Sequence, residues 1–316
     1  MIFCLFDRML FRDKITRLME NKVIDTSVYE IGKDSDGVMR NTKELHEILL
    51  KMILEFDRIC RKNDIPYALG FGSALGVYNY QGFIPWDDDM DIVVPLEYFP
   101  KLCEACKNDL SEEYSFECYE NNKKYNVLIP TGKFRLKSSY LKELSALTLP
   151  NKCGTGATLF LDVCAFMGVP EDPKEHIKLI KYTKRRMPWY VFVDGILRLN
   201  PYKLKAKLKK FELSVAEKYK DSPMVSQTVI IPWQDWSSLV NKLAFPREVI
   251  YPFKEYDFEG HKLFSFNNVE EFCRLRYGEK SLRKWDGEKW VDPFPQAKRK
   301  VDHIRHYNLY HCKNHK

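Results

Sequence analysis

The sequence contains no apolar stretch that approaches the roughly 18 residues a membrane-spanning helix needs. It also contains no internal repeat, no low-complexity tract and no strong excess of one charge, since 51 Lys and Arg stand against 44 Asp and Glu. The resulting net charge of +7 is spread along the chain, unlike the clustered basic residues of a nucleic-acid-binding protein. We therefore expect no transmembrane helix and no nucleic-acid partner.

The nine cysteines are odd in number and show no regular spacing. A chain of 316 residues is long enough to fold without disulfide bonds, so these cysteines predict reduced thiols and a cytoplasmic protein. Cys103 and Cys106 form a single CxxC pair. No second pair stands at zinc-ligand spacing, so a zinc or redox role is the less favoured interpretation.

Hydrophobic residues make up 45% of the chain and aromatic residues 14%, which excludes disorder. The length favours two domains. Within residues 1–20 apolar and basic residues alternate, as in a helix lying at a membrane surface. A peripheral contact with the inner face of a membrane and a helix packed on the rest of the protein are equally supported. Residues 21–40 have little periodicity and are typical of a linker.

The middle of the chain predicts helices and strands in alternation. Apolar residues recur at steps of three and four over 41–62, which predicts an amphipathic helix capped by Asn41 or Thr42. A short strand then leads into a turn at 70–73 and a helix over 74–78, and further strands are expected at 91–94, 132–137 and 159–166. Residues 173–220 are helical and basic, and we expect the lysines of 203–210 to form a solvated face rather than a membrane or polyanion contact.

The segment Trp86-Asp87-Asp88-Asp89-Met90-Asp91 places four aspartates beside a buried strand. Carboxylates so close repel one another unless a cation compensates them. In an extended strand residues two apart share a side, so Asp87, Asp89 and Asp91 are expected on one face and Asp88 on the other. Such an oxygen site suits Mg²⁺ or Mn²⁺. An exposed acidic turn is the alternative, but EF-hand spacing is absent.

Two further features accompany the acidic segment. Gly72-Ser73 lies at the start of a predicted helix, where backbone N–H groups can hold a phosphate. Asp162 is a single carboxylate in an apolar strand, satisfied either by backbone donors or by a metal. A phosphate cradle with three carboxylates is what metal-dependent phosphoryl transfer requires. Asp162 is also a candidate to accept the proton of the attacking hydroxyl.

With these motifs the chain resembles the LicD/fukutin family of phosphotransferases, a branch of the nucleotidyltransferase superfamily. The resemblance is carried by Glu55-Phe56-Asp57-Arg58-Ile59-Cys60, Ile65-Pro66-Tyr67, Gly72-Ser73-Ala74-Leu75-Gly76, the block from Gly82 to Ile92, Gly132-Lys133-Phe134-Arg135, Leu161-Asp162-Val163, Gly168-Val169-Pro170, Phe258-Glu259-Gly260 and Arg276-Tyr277-Gly278-Glu279. The block Gly82-Phe83-Ile84-Pro85-Trp86-Asp87-Asp88-Asp89-Met90-Asp91-Ile92 is the most specific part.

The resemblance implies transfer of a phospho-alcohol group, such as phosphocholine, from a CDP-linked donor to a hydroxyl of a cell-surface or lipid-linked glycan, with release of CMP. It implies that Asp89 and Asp91 hold Mg²⁺, that Asp87 assists and that Asp162 completes the set. By the same analogy Gly72 and Ser73 contact the donor phosphate. Lys133 and Arg135 are implied to neutralise the pyrophosphate, although a surface strand face is the alternative for them.

The fold implied is α+β, a nucleotidyltransferase-type mixed β-sheet flanked by helices. We expect residues 1–40 to form the N-terminal helix and linker, 41–172 the catalytic core, and 173–316 a helical and C-terminal region that completes the substrate site. Asn79-Tyr80-Gln81 and Cys164-Ala165-Phe166-Met167 depart from the family pattern, so the donor or acceptor is open. Two other hypotheses are transfer of a whole nucleotide from a nucleoside triphosphate and a non-catalytic scaffold that binds glycan or membrane.

Overall fold

The structure is a computed structural model that describes residues 30–33, 39–125, 132–143, 158–190, 192–193, 197, 199–227, 244–293 and 304–309. The predicted N-terminal helix over residues 1–20 lies outside the described residues. Within the predicted linker, Glu30–Lys33 (β1) pairs antiparallel with Met39–Asn41 (β2), so this segment contains a short two-stranded sheet. Among the described helices none is long and apolar enough to cross a membrane.

The remaining elements alternate along the chain. They are α1 Lys43–Lys62, β3 Ala68–Leu69, α2 Phe71–Tyr80, β4 Asp91–Pro95, α3 Phe99–Asp109, β5 Tyr114–Cys118, β6 Gly132–Leu136, β7 Ser139–Glu143, β8 Phe160–Gly168, α4 Pro173–Lys184, α5 Met187–Tyr190, α6 Tyr202–Lys218, β9 Met224–Gln227, β10 Ala244–Pro246, α7 Arg247–Ile250, β11 Lys254–Phe258, β12 His261–Ser265, α8 Val269–Tyr277, β13 Lys284–Trp285, β14 Trp290–Val291 and β15 Ile304–Leu309. Within the described residues the predicted helices and strands are present with small shifts, and α2 begins at Phe71 rather than Ala74.

One sheet organises the described part of the chain. Its strands follow the order β10-β9-β8-β4-β3-β12-β11. In addition, β6 pairs with β8, and β5 pairs with β6. The pairs β4–β8 and β3–β12 are parallel and the other pairs of this sheet are antiparallel. The sheet is therefore mixed, and the expected α+β, nucleotidyltransferase-like fold is confirmed. The division at residue 172 stays a prediction, and β9 to β12 share the sheet with β3, β4 and β8.

Helix α1 covers the sheet with one apolar face. Leu49, Met52, Ile53, Phe56 and Ile59 recur at three- and four-residue steps and are all 0% exposed. Burial of each such side chain contributes about 1.5–3 kcal/mol, so this face is the main reason for the helix position. Thr42 occupies the N-cap position, but its side chain makes no capping bond.

In helix α6 two of the lysines in 203–210 are buried, so the interpretation of these lysines as a solvated face needs correction. Lys205 is 0% exposed and donates from Nζ to the carbonyl of Lys124 over 2.7 Å. Lys209 is 7% exposed, and its Nζ lies 2.7 Å from Glu120 Oε1 and 2.8 Å from Glu212 Oε2. The interpretation was wrong for these two residues because they share the buried helix face with Leu208, and their charged ends reach partners at the edge of the core.

The ion pairs of Lys209 give a stability prediction. Replacing Lys209 with Met leaves two carboxylates without their cation, so we expect Lys209→Met to lower the free energy of unfolding by about 3–5 kcal/mol. The exposed neighbour in Lys207→Met should change it by less than about 0.5 kcal/mol. Urea denaturation of both variants checks this. Equal unfolding midpoints for Lys209→Met and the parent would contradict it.

Candidate active site

The acidic segment forms an irregular loop at the N-terminal end of β4. Since β4 begins at Asp91, the strand alternation that we expected does not extend over residues 87–89. Ligand atoms of Asp87, Asp88 and Asp89 all lie within 4.8 Å of one another. Asp88, expected to turn away, is 1% exposed and belongs to this cluster. The expectation for Asp88 was wrong because a loop, unlike a strand, can direct three successive side chains to one point.

The first turns of α1 hold this loop. Nε2 of His46 lies 2.7 Å from the carbonyl oxygen of Asp87, which accepts only, so Nε2 carries the proton. The Thr42 hydroxyl donates to the carbonyl of Pro85. The His46 ring stacks on Phe83 with centroids 4.3 Å apart. Burial lowers the pKa of His46 to about 4, against the effects of the Asp87 carbonyl and Asp88, so the ring is neutral near pH 7.

The first turn of α2 contacts both ends of the acidic segment. The Asp91 amide donates to Ser73 Oγ over 3.0 Å, and the Gly70 amide donates to the Asp91 carbonyl over 3.0 Å. A Cβ on Gly72 would lie 3.1 Å from Asp87 Oδ2, so glycine permits a close approach of that carboxylate. Gly72 and Ser73 therefore position Asp87 and Asp91. Their predicted contact with a donor phosphate stays a prediction.

Strand pairing brings Asp162 beside Asp91. The parallel register of β4 and β8 pairs Asp91 with Asp162, and the antiparallel register of β6 and β8 pairs Asp162 with Lys133. Directly paired residues project to the same face of a sheet, so the three side chains form one row. Lys133 Nζ lies 3.3 Å from Asp162 Oδ1 and 3.1 Å from the Phe160 ring centroid. The ammonium group thus offsets part of the negative charge at this edge.

Arg135 lies further along β6 in a structural ion pair. Its Nε donates to Glu117 Oε2 over 3.0 Å and its Nη1 donates to the Thr158 carbonyl over 3.3 Å. The residue is 6% exposed, so the predicted surface strand face does not apply to it. Its proposed contact with a pyrophosphate stays a prediction.

Residues from the C-terminal part also reach the site. Burial raises the pKa of Tyr277 well above its usual value, the Arg276 guanidinium opposes this rise, and the carboxylates of Asp91 and Asp87 add to it. The guanidinium of Arg276 lies 5.8 Å from the ring centroids of Phe71 and Tyr277. Arg276 therefore brings a second cation toward the first turn of α2. The motif Arg276-Tyr277-Gly278-Glu279 carried the resemblance, but sequence reasoning gave it no role.

Glu259 fixes the segment that precedes the acidic loop. Its Oε1 accepts from the Phe83 amide over 3.0 Å, and its own amide donates to the Gln81 carbonyl over 2.9 Å. A Cβ on Gly82 would lie 2.1 Å from Glu259 Oε1, so a side chain at residue 82 would displace this carboxylate from the Phe83 amide. The hairpin turn between β11 and β12 thereby supports the loop, which explains why Gly82 and Glu259 both belong to the motif blocks.

A large cleft lies at the other end of the sheet. Its volume is about 1280 Å³ and its lining includes Pro95, Phe166 and Gly168, at the C-terminal ends of β4 and β8. Asp91 and Asp162 stand at or near the N-terminal ends of the same strands, roughly 13–20 Å away at the rise of a β-strand. The cleft is therefore separate from the acidic site.

The donor set of the site fits a hard divalent cation. The clustered groups are carboxylate oxygens, which suit Mg²⁺ or Mn²⁺. Asp162 Oδ1 is buried without a hydrogen bond, although Lys133 lies near it. A buried carboxylate oxygen without a hydrogen bond is suited to bind a metal ion. The aspartates at positions 87, 88, 89, 91 and 162 are the described residues able to hold the ion.

A mixed sheet with two aspartates paired on adjacent parallel strands and an acidic loop at their start defines a nucleotidyltransferase-like protein. Residues 64–148 match the family model described as LicD/FKTN/FKRP, nucleotidyltransferase domain. The chain is 22% identical over 259 residues to the lipopolysaccharide cholinephosphotransferase LicD of Haemophilus influenzae, covering 75% of this chain and 90% of that protein. The resemblance to this family is thereby confirmed: residues 64–148 match its nucleotidyltransferase domain, and the wider chain is similar to a LicD protein.

His46 gives a test of how the loop is held. In His46→Phe the stacking on Phe83 can persist while the donor to the Asp87 carbonyl is lost, so we expect Mn²⁺ affinity to fall by about 10- to 100-fold. Calorimetric titration with Mn²⁺ measures this. His176→Phe changes another buried histidine, 2% exposed, and should leave the affinity unchanged. Equal affinity in His46→Phe and the parent would rule out the positioning role.

Proposed function

We propose that this protein transfers phosphocholine, or a related alditol, ethanolamine or glycerol phosphate, from a CDP-linked donor to a hydroxyl of a glycan, with Mg²⁺ or Mn²⁺ as cofactor. The observation that carries the proposal is the in-register pair Asp91 and Asp162 beside the cluster of Asp87, Asp88 and Asp89. The named activity of the Haemophilus relative supports phosphocholine as the group and lipopolysaccharide as the acceptor class.

The carboxylates have two roles: they act as metal ligands, and Asp162 also acts as the base. Asp89, Asp91 and Asp162, assisted by Asp87, hold the ion in this proposal, and the position of Asp88 adds it to the candidates. A bound divalent ion supplies charge neutralisation at the donor pyrophosphate. Lys133 and Arg276 add positive charge from β6 and α8. Without these cations the pyrophosphate would meet only negative charge at this edge of the sheet.

The reaction exchanges one phosphorus–oxygen bond for another. The acceptor hydroxyl oxygen attacks the phosphorus that bears the alcohol, its proton passes to the Asp162 carboxylate, and the bond to the CMP phosphate breaks. The first-turn N–H groups of α2 at Gly72 and Ser73 have no partner within the helix by its geometry, and they suit the donor phosphate. Ser73 and Gly70 keep Asp91 in place during transfer.

Product analysis tests the proposal. With Mg²⁺, CDP-choline and lipopolysaccharide we expect release of CMP and choline-modified glycan, and we expect a chelator to abolish both. A panel of CDP-alcohols identifies the cargo, measured by chromatography of the nucleotides. Release of pyrophosphate from a nucleoside triphosphate would instead favour nucleotide transfer. Unchanged glycan modification in cells carrying Asp89→Ala and Asp91→Ala would favour a scaffold.

Asp162 gives a prediction about the chemical step. Asp162→Asn keeps the shape of the side chain but removes the base, so we expect kcat to fall by about 10²–10⁴-fold, with a much smaller change in donor Kd. Steady-state kinetics and donor titration separate the two effects. Asp257→Asn alters an aspartate with a 58% exposed side chain and should behave as the parent. Comparable rates in Asp162→Asn and the parent would remove the role of Asp162.

A further inference from the structure

A cluster of exposed hydrophobic side chains lies in and after α5. Five of the eight large hydrophobic residues that stand exposed in the described part of the chain fall between positions 189 and 202. They are Trp189, Phe192, Leu197, Leu199 and Tyr202, hereafter the 189–202 patch. Trp189 and Tyr202 are each 61% exposed, and the rings of Trp189 and Phe192 lie 5.8 Å apart. Clustered apolar exposure of this kind marks an interaction surface.

Cationic side chains border the patch. Lys178, Lys181, Arg185 and Arg186 line a depression of about 550 Å³ together with Tyr182, and its lining contains no carboxylate. This basic depression sits at the end of α4, directly before α5. The ring of Tyr182 stacks on Phe211 of α6 with centroids 3.9 Å apart, so α4 and α6 are packed together. On α6 the exposed residues Lys203, Lys207 and Lys210 extend the positive charge.

We propose that the 189–202 patch and the basic depression seat this protein on the surface of an anionic lipid bilayer. Trp and Tyr favour the boundary between headgroups and acyl chains, and Leu and Phe gain by entering the acyl region. Lys and Arg beside them attract the anionic headgroups. A nucleic acid or another polyanion would use the cations but leave Trp189, Leu197 and Leu199 in water. The combination of both kinds of side chain therefore favours a lipid surface.

Residues next to the patch form hydrogen bonds with residues 123 and 124. Asn200 Nδ2 donates to the Lys123 carbonyl over 3.4 Å, and Lys205 Nζ donates to the Lys124 carbonyl over 2.7 Å. The next residue, Tyr125, is buried, and burial followed by the charge of Asp162 raises its pKa well above the usual value. Lipid binding at the patch does not depend on the proposed transfer reaction.

Vesicle flotation with the full chain tests the proposal. We expect binding to vesicles of phosphatidylcholine with about 30% phosphatidylglycerol, weak binding to phosphatidylcholine alone, and a decrease with salt. Lys181→Gln with Arg185→Gln should weaken binding roughly 25-fold, about fivefold for each cation. The matched control replaces Lys220 and Lys262, which are 62% and 61% exposed, with Gln and should bind as the parent.

The hydrophobic contribution needs its own measurement. Vesicles that contain brominated lipid should quench tryptophan fluorescence in the parent and in Trp285→Phe, and should quench it much less in Trp189→Phe, which keeps an aromatic ring and the fold. Undiminished quenching in Trp189→Phe would overturn the proposal. So would equal vesicle binding by the Lys181 and Arg185 variant and its control, or binding of the parent to RNA or heparin with none to anionic vesicles.

Discussion

The mutual repulsion of carboxylates at one edge of the sheet is the constraint on which the rest of the site depends. Asp87, Asp88 and Asp89 bring their oxygens within 4.8 Å of one another, and Asp91 and Asp162 are direct neighbours on parallel strands. Negative charges gathered so closely are unfavourable in a folded protein unless cations balance them. This grouping of acidic side chains makes the start of the β4–β8 pair the candidate functional site.

The surrounding elements reduce the electrostatic repulsion between the carboxylates without removing it. The N-terminus of α2 directs its partial positive charge toward the loop, Lys133 lies 3.3 Å from Asp162, and Arg276 lies near the first turn of α2. His46 stays neutral and holds the loop through the Asp87 carbonyl, so it adds no competing charge. In the proposed function a divalent ion and the phosphorylated substrate would complete the charge balance, which links the electrostatics to phosphoryl transfer.

The sequence predicted most of the described helices and strands, because their signals were local. Three- and four-residue steps located α1, and a lone aspartate in an apolar strand located Asp162. The juxtaposition of Asp91 and Asp162 required the register of two strands 70 residues apart, which no local pattern encodes. Strand alternation was wrong for Asp88 because β4 starts only at Asp91.

Other residues escaped prediction for related reasons. His46 lies on an amphipathic helix, where a buried histidine gives no sign of the loop it supports. Arg276 is distant in sequence from the carboxylates, and only the fold brings its guanidinium to 5.8 Å from the Phe71 ring in the first turn of α2. Lys205 and Lys209 belong to a basic segment that looked solvated, although both lysines are buried and their ammonium groups have partners. The exposed hydrophobic residues of the 189–202 patch were identified only from their solvent exposure in the folded protein.

The central claim is that the acidic loop and the strand pair form one metal site. Anomalous diffraction from crystals grown with Mn²⁺ tests it most directly. The account predicts an anomalous peak within ligand distance of Asp162 and of Asp89 or Asp91, absent in Asp91→Ala. A well-ordered loop with no peak there, or a peak that persists unchanged in Asp91→Ala, would contradict it.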